Sequence, residues 1–300
     1  MTDLFKSGYA SIVGRPNVGK STLLNCLMAK KVAVTSNRPQ TTRNKITGVL
    51  HLPGAQIILV DTPGIHQSDR TLNEMMVRAS VSTFSDVDLL LVMLSAESGF
   101  CVEDEFVLNS MRGVKTKKVL VINKVDLVDK SNLLILIDEM NKKSLFEEII
   151  PISALKEDGL NQLKSLIINY LPEGPEYFPK DMDTDCPETF LFGELIREKI
   201  LKLTRFEIPH SVAVVVEDMY EQNNGVVQID ATIYAEKDSQ KKILIGERGS
   251  MLKNIGRQAR QDIEKRIGAK IFLKLFVKVK ANWRDQKKTI KEFGYTHDSF

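Results

Sequence analysis

Apolar and polar positions follow one pattern through the first 170 residues of the chain. Apolar runs of strand length cover residues 9–13, 56–60, 88–94, 118–122 and 148–152, and a further strand is predicted at 46–52. Helical periodicity falls between these runs, near residues 20–29, 71–83, 102–111, 131–140 and 159–170. Strands that alternate with helices in this way predict an α/β domain with a mostly parallel sheet.

The order of elements changes after residue 171. Residues 172–187 have no periodicity and are rich in proline, so they predict a linker. A helix at 188–203, strands at 211–220 and 225–236, helices on both sides of Gly246 and a strand at 270–280 follow. A chain of 300 residues also exceeds the usual size of a single core. We therefore predict two domains, residues 1–171 and a smaller α+β domain at 188–300.

The modest net charge of +3 hides an uneven distribution. Residues 237–291 contain 17 Lys or Arg against 5 Asp or Glu, an excess of 12 positive charges. Residues 181–236 contain 4 basic against 12 acidic residues, an excess of 8 negative charges. A basic block of this kind attracts phosphate polymers or anionic lipid, although a solvated charged face would give the same count.

Cysteine usage and hydropathy restrict the compartment. The three cysteines are far apart, with no spacing typical of a disulfide framework or a zinc site. The first residues lack a signal peptide pattern, and no run of eighteen apolar residues occurs. We expect a cytoplasmic protein in a reducing environment.

A phosphate-loop motif follows the first predicted strand, at residues 14–21. Its glycines allow successive backbone N–H groups to point inward, and the helix that begins near Lys20 adds its positive end. Lys20 would reach the β- and γ-phosphates, and the Ser21 hydroxyl would bind Mg²⁺. The residues predicted to surround the phosphates are Gly14, Arg15, Pro16, Asn17, Val18, Gly19, Lys20, Ser21 and Thr22.

A second motif, Asn123-Lys124-Val125-Asp126, follows a later strand and predicts selection of guanine. The Asp126 carboxylate can accept hydrogen bonds from N1–H and the exocyclic amino group of guanine, and adenine has no such amino group. Asn123 can tie this loop to the phosphate loop, and the Lys124 stem can cover the base. Ser153 and Ala154, after the next strand, are predicted to contribute a backbone N–H to the guanine oxygen.

Two further segments predict a switch that responds to the γ-phosphate. Residues 61–64, Asp-Thr-Pro-Gly, follow a strand, which places Asp61 near Mg²⁺ through a water ligand and Gly64 near the γ-phosphate. The polar segment 38–43 contains two threonines, of which we choose Thr42 to complete the Mg²⁺ shell. Loss of the γ-phosphate would release both segments. The predicted catalytic set is Lys20, Thr42 and Gly64, and the predicted metal set is Ser21, Thr42 and Asp61.

These segments resemble the translation-factor-related class of GTPases. In that class a glutamine that orients water often follows Asp-x-x-Gly, and here the residue is Ile65, as in a subgroup with a hydrophobic residue at this position. His66 is a tempting base, but a single histidine beside a switch is more often a surface residue. Asn17 matches an asparagine that helps to bind K⁺ in some relatives, and a loop-stabilising role is equally open.

The basic block contains the turn Gly246-Glu247-Arg248-Gly249 between two helical patterns, which resembles a KH domain of the second type. In such domains this turn lets an RNA backbone approach, and about four nucleotides lie in an adjacent groove. Arg248, Lys253, Arg257 and Arg260 are predicted to supply cationic contacts. Gly246, Glu247 and Gly249 complete the predicted RNA-binding set, although the Glu247 charge is unfavourable beside phosphates. We interpret Trp283 as a structural residue.

The order of these features over nearly the whole chain, including Pro39-Gln40-Thr41-Thr42-Arg43 and residues 206–211, resembles the Era family of bacterial GTPases. The resemblance implies a monomeric factor in assembly of the small (30S) ribosomal subunit that binds the 3′ end of 16S rRNA. It also implies association with the inner membrane face.

Two other functions stay open on the sequence. A membrane-surface switch that regulates growth or the cell cycle predicts an amphipathic basic helix without the Gly-x-x-Gly turn. A P-loop phosphotransferase predicts a second substrate pocket with its own acid or base, and the sequence shows no such cluster.

Overall fold

The structure, a computed structural model, describes residues 4–36, 38, 41–66, 70–223 and 225–295. These residues divide into two compact units. Apart from residues 70–72, the first unit extends to Asp185 and the second begins at Cys186. Pro39 and Gln40 of the predicted switch segment lie outside the described residues, as do the last five residues of the predicted second domain.

The first unit is a six-stranded sheet with helices between its strands. The strands are β1 (Lys6–Val13), β2 (Ile46–Leu52), β3 (Ala55–Asp61), β4 (Leu89–Ser95), β5 (Lys117–Asn123) and β6 (Glu148–Pro151). The helices are α1 (Lys20–Met28), α2 (Thr71–Ser82), α3 (Val102–Ser110), α4 (Lys130–Lys142) and α5 (Leu160–Tyr170). The predicted α/β class is confirmed.

The strand order, β2-β3-β1-β4-β5-β6, brings the predicted motifs to one edge of the sheet. Only β2 runs antiparallel, against β3, and every other pairing in this sheet is parallel. Ile12 pairs with Asp61, and Ser95 pairs with Asn123. Because parallel strands end at the same edge, the loops after β1, β3, β4 and β5 meet there, as expected for a ligand site in an open α/β sheet.

Burial explains why the central strands are almost entirely apolar. Every residue of β3 and β4 is buried, because helices cover both faces of a parallel sheet. The core on one face joins β4 and β5 to α3 and α4 through residues such as Leu90, Val92, Leu120 and Met140. This rigid centre fixes the carboxyl ends of the strands that carry the motifs.

The predicted linker is for the most part packed within the first unit. The Val49 N–H of the edge strand β2 donates to the Asp183 carbonyl at 2.8 Å. Gln56 Oε1 accepts from the backbone N–H groups of Tyr177 and Phe178 at 2.8 and 3.0 Å. Residues 172–185 therefore pair with backbone and side-chain groups of β2 and β3, contacts that no local pattern in this proline-rich stretch indicates.

The second unit packs helices on one face of a three-stranded sheet. The strands are β7 (Ala213–Glu221), β8 (Val227–Ala235) and β9 (Ile271–Val279), in the order β7-β8-β9, with β8 and β9 parallel. The helices are α6 (Glu188–Leu203), α7 (Ile208–Ser211), α8 (Asp238–Ile245), α9 (Ser250–Ile267) and α10 (Lys287–Glu292). The order helix, strand, strand, helix, helix, strand agrees with the predicted KH topology, and sequence reasoning missed only the short helices α7 and α10.

Several smaller predictions are also tested by the structure. Trp283 is fully buried and donates its Nε1–H to the Ser211 carbonyl at 2.9 Å, so its structural interpretation is confirmed. Cys26, Cys101 and Cys186 are free thiols. None of the helices in the described ranges combines the length and the apolar character that crossing a bilayer requires.

Candidate functional site: a phosphate loop and a basic groove

The phosphate loop fits so closely against its neighbours that two of its glycines have no room for a side chain. A Cβ at Gly14 would lie 2.6 Å from the Met93 carbonyl oxygen, and a Cβ at Gly19 would overlap Nδ2 of Asn123. Gly19 also has a φ of +107°, which favours glycine. Because α1 begins at the next residue, its first N–H groups are available to an anion in the loop.

Lys20 is held inside the loop rather than exposed to water. Its ammonium group donates to the carbonyl oxygens of Gly14 and Arg15 at 3.1 and 3.0 Å, and only 6% of the residue is exposed. Burial lowers the pKa of Lys20 to about 8, although the nearby Asp61 carboxylate opposes this shift. A bound phosphate would supply the negative charge that favours the protonated form.

The three predicted metal ligands meet at one point. Ser21 Oγ lies 2.7 Å from Thr42 Oγ1 and donates to Asp61 Oδ2 at 2.6 Å, and the Thr42 hydroxyl donates to the same oxygen at 3.1 Å. Burial raises the pKa of Asp61, and the Lys20 charge partly offsets this effect. The buried Asp61 Oδ1 has no hydrogen-bond partner among the described residues. Two hydroxyls and a carboxylate with a free oxygen fit a hard cation such as Mg²⁺.

The segment after β3 is anchored on both sides. The Thr62 hydroxyl donates to the Ile12 carbonyl at 2.9 Å, and the Ser80 hydroxyl of α2 donates to the Pro63 carbonyl at 2.9 Å. A Cβ at Gly64 would lie 2.7 Å from Cγ of Pro16, so Gly64 touches the phosphate loop directly. Its backbone is thus available at the place where a γ-phosphate is predicted.

Ile65 does not face the nucleotide cavity. Its side chain is fully buried in the core formed by β4, β5 and α3, beside residues such as Val13 and Phe84. Its N–H donates to the Gly14 carbonyl at 3.2 Å. The hydrophobic residue that follows Asp-x-x-Gly therefore anchors the switch segment to the core, and it cannot orient water. His66 Nδ1 lies 2.8 Å from the Gly64 carbonyl, and the ring is half-buried.

The base-recognition motif is linked to the phosphate loop through Asn123. Its Nδ2 group donates to the Val18 carbonyl at 2.8 Å, and its Oδ1 accepts from the Ala154 N–H at 2.9 Å. The Ser153 hydroxyl donates to Asp126 Oδ1 at 2.6 Å and so orients that exposed carboxylate. The Ala154 N–H thus donates to Asn123, and its contact with the guanine oxygen stays a prediction.

A cavity of about 450 Å³ opens beside these loops. Its lining consists of Pro16, Asn17, Gly19, Lys20, Ser21, Thr22, Val34, Thr35, Ser36, Arg38, Thr41, Thr42, Gly64, Glu97 and Lys124. Other residues predicted to bind the nucleotide do not line it, namely Gly14, Arg15, Val18, Asp61, Thr62, Pro63, Ile65, Asn123, Val125, Asp126, Ser153 and Ala154.

Two acidic residues at this site were missed by sequence reasoning. Glu97 lines the cavity, and its Oε2 pairs with Lys124 Nζ at 2.8 Å. The buried Asp104 of α3 pairs with Arg15 Nε at 3.0 Å, and Ser98 also accepts from the Arg15 side chain. Arg15 thus ties the phosphate loop to α3. Neither acidic residue stands in a recognisable motif, so only the tertiary structure reveals these pairs.

A second cavity, of about 590 Å³, lies between α9 and β9 in the second unit. It is lined by Gly249, Leu252, Lys253, Gly256, Arg257, Arg260, Ile271, Phe272, Leu273 and Leu275. The three cationic residues are exposed and stand on one face of α9, because their spacing is four and then three residues. We call this cavity the basic groove; it has one cationic wall and one apolar wall.

The Gly246–Gly249 turn meets the basic groove only at Gly249, and its two glycines have different roles. A Cβ at Gly246 would lie 2.7 Å from Cβ of Met251, so Gly246 is required for packing. Gly249 has a φ of +80° and no atom within 4 Å of a Cβ placed there. Gly246, Glu247 and Arg248 do not line the groove, whereas Gly249 does.

Two families of known proteins match the chain, one in each unit. A family described as a 50S ribosome-binding GTPase matches residues 9–124, and a family described as a KH domain matches residues 207–284. GTPase Era from Geotalea daltonii is 48% identical over 97% of this chain and 98% of that protein. GTPase Era from Geobacter sp. strain M21 is 50% identical over the same shares.

Solved structures show the same relationship over the whole chain. A variant of Aquifex aeolicus Era bound to GDP–AlF4⁻ is 40% identical, with a TM-score of 0.94 over 97% of this chain and 100% of that one. A structure of Era with MgGDPNP and nucleotides 1506–1542 of 16S ribosomal RNA is also 40% identical. Its TM-score is 0.95 over 97% of this chain and 99% of that one. The chain therefore belongs to the Era family of GTPases, enzymes that hydrolyse GTP.

Proposed function

We propose that this GTPase is a Mg²⁺-dependent switch that binds single-stranded RNA at the 3′ end of the small-subunit rRNA through its basic groove. The observation that carries the RNA part is the groove itself. It places three cations opposite apolar residues of β9, next to a glycine with open space around it. The related Era structure that contains a segment of 16S ribosomal RNA supports the same kind of ligand.

Magnesium fits the cluster of Ser21, Thr42 and Asp61. The free Asp61 Oδ1 and the two hydroxyls would provide oxygen ligands for a cation bound beside the phosphates. Bound there, Mg²⁺ would neutralise charge that develops on the phosphates during transfer to water. Thr42 belongs to the segment after α1, so only a nucleotide with a γ-phosphate would hold it in place together with the metal.

The other residues of this site position the nucleotide and stabilise charge. Lys20 and the first N–H groups of α1 would bind the phosphates, and the Gly64 backbone lies where it can contact the γ-phosphate. Asp126, oriented by Ser153, would select guanine. Because Ile65 is buried in the core, the group that orients the attacking water is a different one.

Potassium is a second cation for which this chain has a candidate residue. Asn17 lines the nucleotide cavity and has a φ of +67°. If its side chain helps to bind K⁺ beside the phosphates, replacing K⁺ with Na⁺ should slow single-turnover hydrolysis. Equal rates in the two salts would favour a loop-stabilising role.

Roles in 30S subunit assembly and at the inner membrane face, and the monomeric state, are predictions that rest on the family resemblance.

A Gly249→Asp substitution tests the RNA proposal. It places a side chain and a negative charge where the RNA backbone is expected to approach, so RNA affinity should fall at least about tenfold. The measurement is fluorescence anisotropy with a single-stranded RNA copied from the 3′ end of 16S rRNA. GTP affinity and basal hydrolysis should stay near those of the unmodified protein.

The matched control is Gly268→Asp at the other end of α9. Gly268 also has a positive φ, +75°, and no atom within 4 Å of a Cβ, but it is not part of the groove lining. An aspartate at the carboxyl end of a helix is less favourable than one at its amino end, so a folding defect would be larger in the control. Equal RNA affinities of the two variants would refute the assignment of the groove.

A further inference from the structure

The sheet of the second unit has two phenylalanines exposed on the face that its helices do not cover. Along β9, exposed positions alternate with buried or half-buried ones, and Phe272 and Phe276 are 54% and 42% exposed. Lys274 and Lys278 are exposed on the same face, because side chains two residues apart on a strand point the same way. This face of β9 thus carries aromatic and cationic side chains in alternation.

Exposed aromatic rings at this position are costly unless something binds them. β9 is the edge strand in the order β7-β8-β9, and large apolar side chains on an edge strand promote aggregation. Lysines on such an edge reduce the risk, but they do not explain why two rings are exposed. Phenylalanines on an open sheet are a recurring platform for the stacking of nucleic-acid bases.

The exposed side chains of β9, Phe272, Lys274, Phe276 and Lys278, form a stripe that meets the basic groove at Phe272. Phe272 lines the groove together with the cations of α9, whereas Phe276 lies outside its lining. Phe276 is four residues further along the strand, about 13 Å away at the usual rise of a strand. An RNA strand that leaves the groove beside Phe272 would therefore meet Phe276 next.

Charge on this face differs from charge in the groove. Lys274 Nζ lies 3.7 Å from Asp230 of β8 and Lys278 Nζ lies 3.6 Å from Glu217 of β7, so acidic residues of the same sheet largely balance both lysines. Lys274 Nζ also lies 5.1 Å from the centre of the Phe276 ring. A ligand of this face would thus bind mainly by stacking, and phosphate contacts would add little.

We propose that the exposed face of β9 binds, by stacking on Phe272 and Phe276, the nucleotides that continue a single-stranded RNA beyond the basic groove. This inference rests on the proposed binding of RNA in the groove. The groove holds about four nucleotides, and the stripe extends the bound length.

Two RNAs from the same sequence test the inference, one of about four nucleotides and one of about twice that length. The full-length protein should bind the longer RNA more tightly. Phe276→Ala should remove most of this gain, a loss of about 5-fold to 150-fold by the usual size of base–aromatic stacking, and should leave the affinity for the short RNA unchanged. Phe276→Tyr should restore the gain, because its ring also stacks.

The matched control is Phe206→Ala, which removes a phenylalanine that is 86% exposed elsewhere in the same unit. This control should bind both RNAs normally. Since stacking carries the gain, the difference between Phe276→Ala and the unmodified protein on the longer RNA should change little as salt rises. The affinity for the short RNA should fall steeply as salt rises, because it depends on contacts between phosphates and the groove cations.

Several outcomes would overturn the inference while the groove assignment stands. Equal affinity of Phe276→Ala and the unmodified protein for the longer RNA would show that the ring does not stack. A matching loss on the short RNA would place Phe276 in the groove. A dimer in sedimentation that Phe276→Ala dissociates would make the stripe a surface for self-association. Failure of the unmodified protein to bind either RNA would instead refute the proposed function.

Discussion

The nucleotide site and the basic groove are built in opposite ways. In the nucleotide site most of the key polar groups are buried and bonded to one another, as in the contacts of Asn123 with Val18 and Ala154, and the exposed Asp126 carboxylate is held by Ser153. In the groove, Lys253, Arg257 and Arg260 are exposed on one helix, and the opposite wall is apolar. The first site fixes the geometry of a small ligand, and the second offers shape and charge to a polymer.

This difference predicts different responses to substitution. A buried polar contact that loses its partner costs about 1–3 kcal/mol, because the remaining group has no water to bond to. Removal of one exposed cation from the groove lowers the binding free energy for RNA by less, since the neighbouring cations continue to attract the phosphates. Substitutions in the nucleotide site should therefore act in large steps, and substitutions of the groove cations should act gradually.

The largest effect is expected for Asp126→Asn. The amide presents a donor where the guanine amino group needs an acceptor, so GTP affinity should fall by about 10²-fold or more, and affinity for xanthosine triphosphate should rise. Isothermal titration with both nucleotides measures the change, and the affinity for RNA in the groove serves as the internal control. An unchanged preference for GTP would refute the assignment of Asp126 to the base.

An Ile65→Gln substitution should unfold the protein more readily rather than create a faster enzyme. The amide would be buried in the core without a partner, which should lower the free energy of unfolding by about 1–3 kcal/mol. Denaturant titration measures the stability, and single-turnover hydrolysis measures the rate. A stable variant with much faster hydrolysis would show that the side chain reaches the cavity.

A smaller effect is expected from pH. Since burial lowers the pKa of Lys20 to about 8, the ammonium group is charged below this pH and loses its proton above it. Binding of phosphate restores the proton, so GTP affinity should fall about tenfold between pH 7 and pH 9. RNA affinity should change far less, because Lys20 is not part of the basic groove.

The control for this prediction is Lys20→Arg, in which the cation stays protonated over the same range. Its remaining pH dependence reports the titration of the nucleotide itself. If Lys20→Arg loses affinity as steeply as the unmodified protein between pH 7 and pH 9, the lowered pKa of Lys20 has no part in GTP binding.

The sequence by itself predicted the fold class and the segments that carry both candidate sites. Strand-length apolar runs separated by helical patterns predict the parallel sheet, because a strand covered on both faces must be apolar throughout. The motifs at residues 14–21, 61–64 and 123–126 each follow a predicted strand, so the common carboxyl edge of the sheet brings them together. The spacing of Lys253, Arg257 and Arg260 likewise predicts a single cationic face of a helix.

Tertiary structure alone decided features that depend on residues far apart in the chain. The burial of Ile65, the pairing of Arg15 with Asp104 and the bonds of residues 172–185 to β2 and β3 have no local signal. The exposed face of β9 is similar, because strand alternation shows that two faces differ but does not show which one the helices cover. The periodicity of a segment indicates which of its faces is buried. Only the tertiary structure determines which distant residues contact that face.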